Sequence, residues 1–372
     1  MIQNAFSMLM GIRRLVPNLS GRPLSFAFAL TRAFIGCGLF LLSADALALD
    51  PLRSADKEIP YLLGLGDPKE FLSFESRLTT RSVELGRFLF FDKRLSGDGT
   101  IACSSCHLPS RAFTDGNTVP TGIKGQRGHR NAPTIVNRLY GRSFFWDGRA
   151  HTLPEQTLEP FLSPAEHGLS QRDLLSMIRS IPGYRRLFRE AFGTDVTEDG
   201  IATALTHFQW TILSGNSPVD RFDYRGDATA LPAAAQRGFL VFRGKGGCVR
   251  CHVGPNYTDE QYHNLGVGWE SPHVDLGRYS VTRQPEDIGA FKTPTLREIA
   301  RTAPYMHDGR FKTLREVINF YNHGGVSNPH QDSIMRPLFL SDDEREDLEV
   351  FLNNLSGEGW QQAVAPRVFP KQ

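Results

Sequence analysis

The chain has 372 residues, 40% of them hydrophobic and 22% charged, an ordinary globular composition long enough for two cores at roughly 100–200 residues per domain. Its 42 basic and 40 acidic residues leave a formal net charge of +2, which gives no argument for nucleic acid, whose binding needs a concentrated basic face. The 35 glycines and 23 prolines point to many loops between short helices.

At the N-terminus, Arg13, Arg14, Arg22 and Arg32 precede the apolar run 33–42, and Ala46-Leu47-Ala48 follows as a small-residue cleavage site. Basic, then apolar, then A-x-A is the order of a secretory signal, so residues 1–48 are expected to be removed and the remainder to reside in the periplasm. The run is too short for a transmembrane span. An uncleaved anchor over 24–42 is the weaker alternative, because Arg32 interrupts it. The long leader also admits a start at Met8 or Met10. Cys37 leaves with it.

After a lead-in over 49–75, residues 82–91 carry apolar side chains at helical spacing, and 92–99 turn the chain into Cys103-Ser104-Ser105-Cys106-His107. Residues 108–142 read as loop. Helices are predicted over 171–180 behind the Ser170 cap, over 184–192, and over 198–213 behind Thr197. Asn216-Ser217-Pro218 and 225–231 read as the joint between two domains, 49–215 and 216–372. The second begins with a helix over 233–242, which leads through a glycine-rich turn into Cys248-Val249-Arg250-Cys251-His252. Residues 253–291 read as loop. A helix over 313–322 ends at Gly324-Gly325. A last one starts at Ser341, where Ser341 and Glu344 form a capping box ahead of Leu348, Phe351, Leu352 and Leu355 at helical spacing. No run alternates as a sheet strand does, so the class is mainly α.

The two C-x-x-C-H stretches are the chemical core of the sequence. A lone C-x-x-C also suits a zinc half-site or a redox pair. Two complete copies, with a histidine directly after each second cysteine, read instead as covalent haem attachment. Cys103, Cys106, Cys248 and Cys251 would form thioethers, and His107 and His252 would be the proximal iron ligands. The cofactors expected are two covalently bound haem c groups.

An internal repeat assigns different roles to the two copies. Asn131-Ala132-Pro133-Thr134 matches Lys292-Thr293-Pro294-Thr295, and Asp147-Gly148-Arg149-x-x-Thr152-Leu153-x-Glu155 matches Asp308-Gly309-Arg310-x-x-Thr313-Leu314-x-Glu316, both at a shift of 161 residues. In that register Trp146 stands opposite His307, and Pro160 opposite Tyr321. Tyr321 can offer a phenolate to the sixth position of a haem iron, whereas a proline cannot ligate. One closed and one open haem are therefore expected.

These motifs, with Phe90-Phe91-Asp92-x-Arg94-Leu95-Ser96, Phe145-Trp146-Asp147-Gly148-Arg149 and Ala303-Pro304-Tyr305-Met306-His307-Asp308-Gly309, resemble the bacterial di-haem cytochrome c peroxidase family and its MauG branch over residues 75–360. The resemblance implies two duplicated cytochrome c-like domains. Hydrogen peroxide would react at the N-terminal haem, and the C-terminal haem would take electrons from a small cytochrome c or cupredoxin. It implies a relay role for Trp146, a catalytic role for Glu166 and a second pocket position at Gln156. Burial would raise Glu166 toward the working pH and suit it to proton transfer. A calcium ion is implied at Asn131 and the carbonyls of Thr302 and Pro304, hard oxygen donors that suit it. A homodimer is compatible with the family.

Two departures select the branch. The histidine that blocks the N-terminal haem in many members is Ile123 here, with His129 as a neighbouring substitute, so activity without prior reduction is expected. The distal methionine of the second haem is replaced by Tyr321, as in MauG; Met306 is its main rival, with His307 and His323 behind. The tryptophan that MauG carries before the second motif is Gly246, which weakens any analogy of substrate. The alternatives are MauG-like oxidation of residues in a partner protein and a non-enzymatic electron-transfer cytochrome. Arg149 and Arg310 are expected to pair with propionates or carboxylates. His151, His167, His207, His263, His273 and His330 are expected in surface or capping roles, and the acids of 342–347 on a solvated helix start.

Overall fold

The computed structural model describes residues 56–72 and 77–371; the expected secretory signal and Cys37 lie outside the described residues. In chain order the helices are α1 (Thr80–Phe91), α2 (Cys103–Cys106), α3 (Leu153–Leu162), α4 (Gln171–Arg179), α5 (Pro182–Phe192), α6 (Glu198–Trp210), α7 (Pro218–Arg225), α8 (Ala233–Arg243), α9 (Tyr279–Thr282), α10 (Leu314–Asn322) and α11 (Asp342–Asn353). The strands are two-residue pieces: β1 (Ser214–Gly215) pairs antiparallel with β4 (Glu358–Gly359), and β2 (Tyr262–His263) with β3 (Phe291–Lys292). The fold is mainly helical, as the sequence indicates. No helix among the described residues is long and apolar enough to cross a membrane.

Three expectations need correction. Helix α3 was not foreseen. Its Pro154 sits in the first turn behind the Thr152 cap, where a missing N–H costs nothing, although Pro160 lies inside the helix. The presumed joint contains α7, whose capping box uses Ser217 and Asp220, with Pro218 at the first position. The helix expected to reach residue 213 stops at Trp210, because the chain must straighten to pair Ser214 with Gly359.

Each half is built on one pair of crossed helices. In the first, α1 crosses α6 at Gly86, where a Cβ would stand 1.9 Å from the Ala204 carbonyl oxygen. In the second, α8 crosses α11 at Gly238, where a Cβ would stand 1.9 Å from the Asp347 carbonyl oxygen. Glycine at each crossing lets the backbones touch. Around the first pair lies a core including Leu85, Leu89, Phe90, Phe161, Phe188 and Phe208; around the second lie Phe239, Phe242, Leu348 and Phe351. The C-terminal tail crosses back: Trp360 belongs to the first core, and Arg94 Nη2 donates to the Pro370 carbonyl at 3.1 Å.

The repeat is visible in the backbone. The bridge Phe144–Ala150 recurs as Tyr305–Phe311, and the short turn of helix Arg138–Tyr140 recurs as Ile299–Arg301. Asn137 and Glu298, which precede those turns, both take positive φ, 61° and 60°. Thr134 Oγ1 donates to the Ala112 carbonyl at 2.7 Å, and its counterpart Thr295 to that of Asn256 at 2.6 Å.

Candidate active site

A single cavity of about 1060 Å³ runs from Cys106 and His107 at one end to Cys248, Cys251 and His252 at the other. That is at or above the upper end of the roughly 300–1,000 Å³ usual for one small ligand. It has room for large cofactors at both motifs. Among the described cysteines all four are free thiols, and burial pushes Cys103, Cys106 and Cys248 up to about 12.

Both histidines are prepared as ligands. His107 Nδ1 lies 3.0 Å from the Phe113 carbonyl and His252 Nδ1 2.9 Å from that of Tyr257. A carbonyl only accepts, so Nδ1 carries the proton and Nε2 keeps its lone pair. Burial lowers the pKa of each ring against the opposing effect of that hydrogen bond, so both stay neutral, the form that binds metal. The residues present therefore fit a haem iron at each end.

Helices α3 and α10 begin alike and differ in the residue each brings to the cavity. Thr152 and Thr313 cap α3 and α10 in the same way, each accepting from a glutamate N–H three residues on, at 3.3 and 3.2 Å. Two turns later Pro160 and Tyr321 both line the cavity. Burial, and then the neighbouring Cys251 and Cys248, raise the Tyr321 phenol above its ordinary value. Met306 lines the cavity as well, in left-handed backbone at φ 72°. His307 stacks flat on Phe291 at 3.5 Å, while His323 is exposed and turned to the Asn319 carbonyl at 2.6 Å.

At the His107 end, Glu166 is half-buried and lines the cavity, in a turn in which its N–H donates to the Ser163 carbonyl at 3.0 Å. Burial raises its pKa against a hydrogen bond from Ser163 and the charge of Arg149, and its own charge is felt at Cys103 and Cys106. Gln156 faces the same space from α3. Ile123 is buried, with its N–H donating to the Glu166 carbonyl at 3.0 Å. Its Cδ1 lies 2.2 Å from where a Gly168 Cβ would be. His129 is exposed at the cavity rim.

Trp146 lines the cavity and touches segments of both halves. Its Nε1 donates to the Asn131 carbonyl at 2.9 Å, its own carbonyl accepts from Lys292 N at 2.8 Å, and its ring meets His307 edge-on at 6.5 Å. Asn131, Thr302 and Pro304 line this cavity together, and Asn131 Nδ2 donates to the Asn117 carbonyl at 2.9 Å, which leaves Oδ1 as its donor to a cation.

Several residues escaped the sequence. His263 is bracketed by Asp332 at 2.5 Å and Asp259 at 3.0 Å. It is pulled up to about 10, first by a hydrogen bond with Cys251 and then by the two carboxylates against burial. His167 and His207 are buried, bonded to the Leu95 carbonyl at 2.8 Å and to Ser82 Oγ at 2.7 Å, so of the surface or capping roles expected the surface one is excluded for both. Arg149 does pair with carboxylates, Asp147 and Glu159, and Arg310 with Asp308 and Glu270. Asp347 is not solvated: it is buried and held by Arg237 at 2.6 Å. Lys292, Glu260 and Arg138 form a further buried charged group on the cavity side.

A family model described as di-haem cytochrome c peroxidase matches residues 80–229. The chain is 39% identical to the methylamine utilization protein MauG of Methylorubrum extorquens over 287 residues, 76% of this chain and 80% of that one. It is 38% identical to the cytochrome-c peroxidase IdrP1 of Denitromonas iodatirespirans over 317 residues, 76% and 83% of the two. A crystal structure of a MauG-like protein associated with microbial copper homeostasis superimposes with a TM-score of 0.70 at 34% identity, covering 82% of this chain and 95% of that one. On likeness over most of its length, and on a cavity built around two histidine-bearing motifs, the chain belongs to the di-haem cytochrome c peroxidase family, a mainly helical oxidoreductase with two haem groups.

Proposed function

We propose that the chain reduces hydrogen peroxide to water in the periplasm, H2O2 + 2 e− + 2 H+ → 2 H2O, with electrons from a small cytochrome c or cupredoxin and without prior reductive activation. Both haems would be attached covalently, one through Cys103 and Cys106 and the other through Cys248 and Cys251. The observation that carries this reading is that Pro160 and Tyr321 face one cavity from equivalent helix positions, so only the His252 end offers a tyrosine.

Haem irons held by His107 and His252 would supply the redox chemistry. His107 and His252 present Nε2, each oriented by the hydrogen bond that its Nδ1 donates. Glu166, with its raised pKa, takes the proton from the near peroxide oxygen and returns it to the far one. Gln156 orients the peroxide. Trp146, clamped by two backbone hydrogen bonds to segments of both halves, holds its ring in one geometry and relays electrons. Burial opposes ionisation of a free Tyr321 phenol, so its phenolate depends on a cation at that end. Ile123, packed where other members carry a blocking histidine, leaves the peroxide end open. A calcium ion at Asn131, Thr302 and Pro304 would tie the halves.

Electron paramagnetic resonance of the fully oxidised protein tests this. One high-spin and one low-spin ferric signal, with reaction on adding peroxide before any reductant, is the expected result. Two low-spin signals and no reaction would overturn it.

Oxidation of residues in a partner protein is the second reading, favoured by Tyr321 and by the MauG relative. Against it, Gly246 has no space for the tryptophan of that chemistry, since even a Cβ would stand 2.9 Å from the Val241 carbonyl oxygen. Mass spectra of candidate partners after peroxide treatment separate the two.

A further inference from the structure

One part of the cavity wall carries more positive charge than the protein neutralises. Lys292 Nζ lies 3.0 Å from Glu260 Oε2, with the side chains 7% and 6% exposed. Arg138 adds a second cation beside this pair. Its Nε donates to the Val136 carbonyl at 3.3 Å, while Nη2 is buried with no hydrogen-bond partner. The mutual effects are consistent with crowded charge: burial and then Arg138 pull Lys292 down to about 8, while Lys292 and Arg138 hold Glu260 low against its burial. Two cations thus share one carboxylate. A buried guanidinium nitrogen without a partner is costly unless something anionic meets it.

Of the other arginines on this cavity, Arg250 and Arg336 are exposed, and Arg130 and Arg149 are matched by carboxylates. Arg130 is held by Asp147 at 2.6 Å and Asp275 at 2.7 Å, and Arg149 by Asp147 and Glu159. Arg138 and Lys292 both line the cavity. Neither is inherited from the repeat, because the 161-residue register sets Ile299 against Arg138 and Asn131 against Lys292. The charge was placed on one side of a duplicated frame.

We propose that Arg138 and Lys292 form a carboxylate-receiving corner that takes one haem propionate and sets the reduction potential of that haem above the value it would otherwise have. The proposal rests on two haem groups occupying the cavity. A guanidinium presents planar, paired donors that match a carboxylate, and the free Nη2 supplies them from the wall. Positive charge beside a haem favours its reduced state, so the corner acts on one haem and not the other.

The test uses the two-haem protein, with haem content measured first and both potentials then followed by spectroelectrochemistry. In Arg138→Gln, one haem is expected to become about tenfold harder to reduce, about 59 mV for one electron, with the other unmoved. Its propionate-bending Raman band should shift, and Arg138→Lys should restore most of the potential. Glu260→Gln, which removes the only anion of the group, should move the same haem the opposite way, and it carries the test should Arg138→Gln fail to load haem. A protein with both haems and neither potential changed overturns the proposal, as does a potential shift with no Raman change, which would mean that Arg138 acts through Glu260. Acetate added to the unsubstituted protein identifies the source of the carboxylate. Potentials independent of acetate support the propionate, and dependence would show a free anion in the corner and overturn it. A protein lacking one haem without any substitution would instead defeat the di-haem reading itself.

Discussion

In the proposed reaction Glu166 moves the peroxide proton, and its character comes from its surroundings rather than its identity. Burial raises its pKa, and Ser163 and Arg149 only partly offset that. The proton-accepting form exists above that pKa, so turnover is expected to fall as pH drops through a value higher than an ordinary glutamate's. In Glu166→Gln that acid limb should vanish, and turnover should fall by about 10²–10⁴ with the haem absorption spectrum unchanged. A steady-state pH profile of both proteins checks this. His107 and His252 were legible because their motif is local. His263 was not, because the groups that raise it, Cys251 first and then Asp332 and Asp259, meet it only through the fold.

At the scale of elements, the helix crossings carry the frame. Gly86 and Gly238 each lie where a methyl group would meet a carbonyl oxygen of the facing helix at 1.9 Å. Alanine at either should destabilise the protein by about 1–3 kcal/mol through overpacking, even though alanine favours helix. Urea unfolding of each variant measures it; an unchanged midpoint would mean that the helices separate without loss. The missed helices have a common reason. Prolines 154 and 218 stand in first turns behind Thr152 and Ser217 caps, where a proline that looks like a loop signal is compatible with a helix start. The longer predicted helices, with full apolar faces, were found to within a few residues.

For the whole molecule, a buried clamp joins segments distant in the chain. Arg297 is fully buried, 2.5 Å from Asp220 Oδ2, and donates also to the carbonyls of Gly64 and Pro255 at 2.8 and 2.6 Å. The lead-in before α1, the chain after the second motif and α7 are thereby tied together. Arg297→Met would leave Asp220 buried without its cation and is expected to cost about 3–5 kcal/mol, read as a fall in the melting temperature of the two-haem protein. Asp220→Asn in that background should recover part of it. The pairs Ser214–Glu298 at 2.5 Å and Asn137–Asn256 at 3.2 Å join the two halves at other points. The sequence by itself determined the paired C-x-x-C-H sites, the duplication and the asymmetry of Pro160 against Tyr321, because each is written in local spacing or in a constant shift. Only the tertiary structure decided that both motifs open on one cavity, that Glu166 is desolvated, and that Arg138, Lys292 and Glu260 share a buried corner. Those properties come from burial and from charges brought together across the chain, which no local pattern encodes.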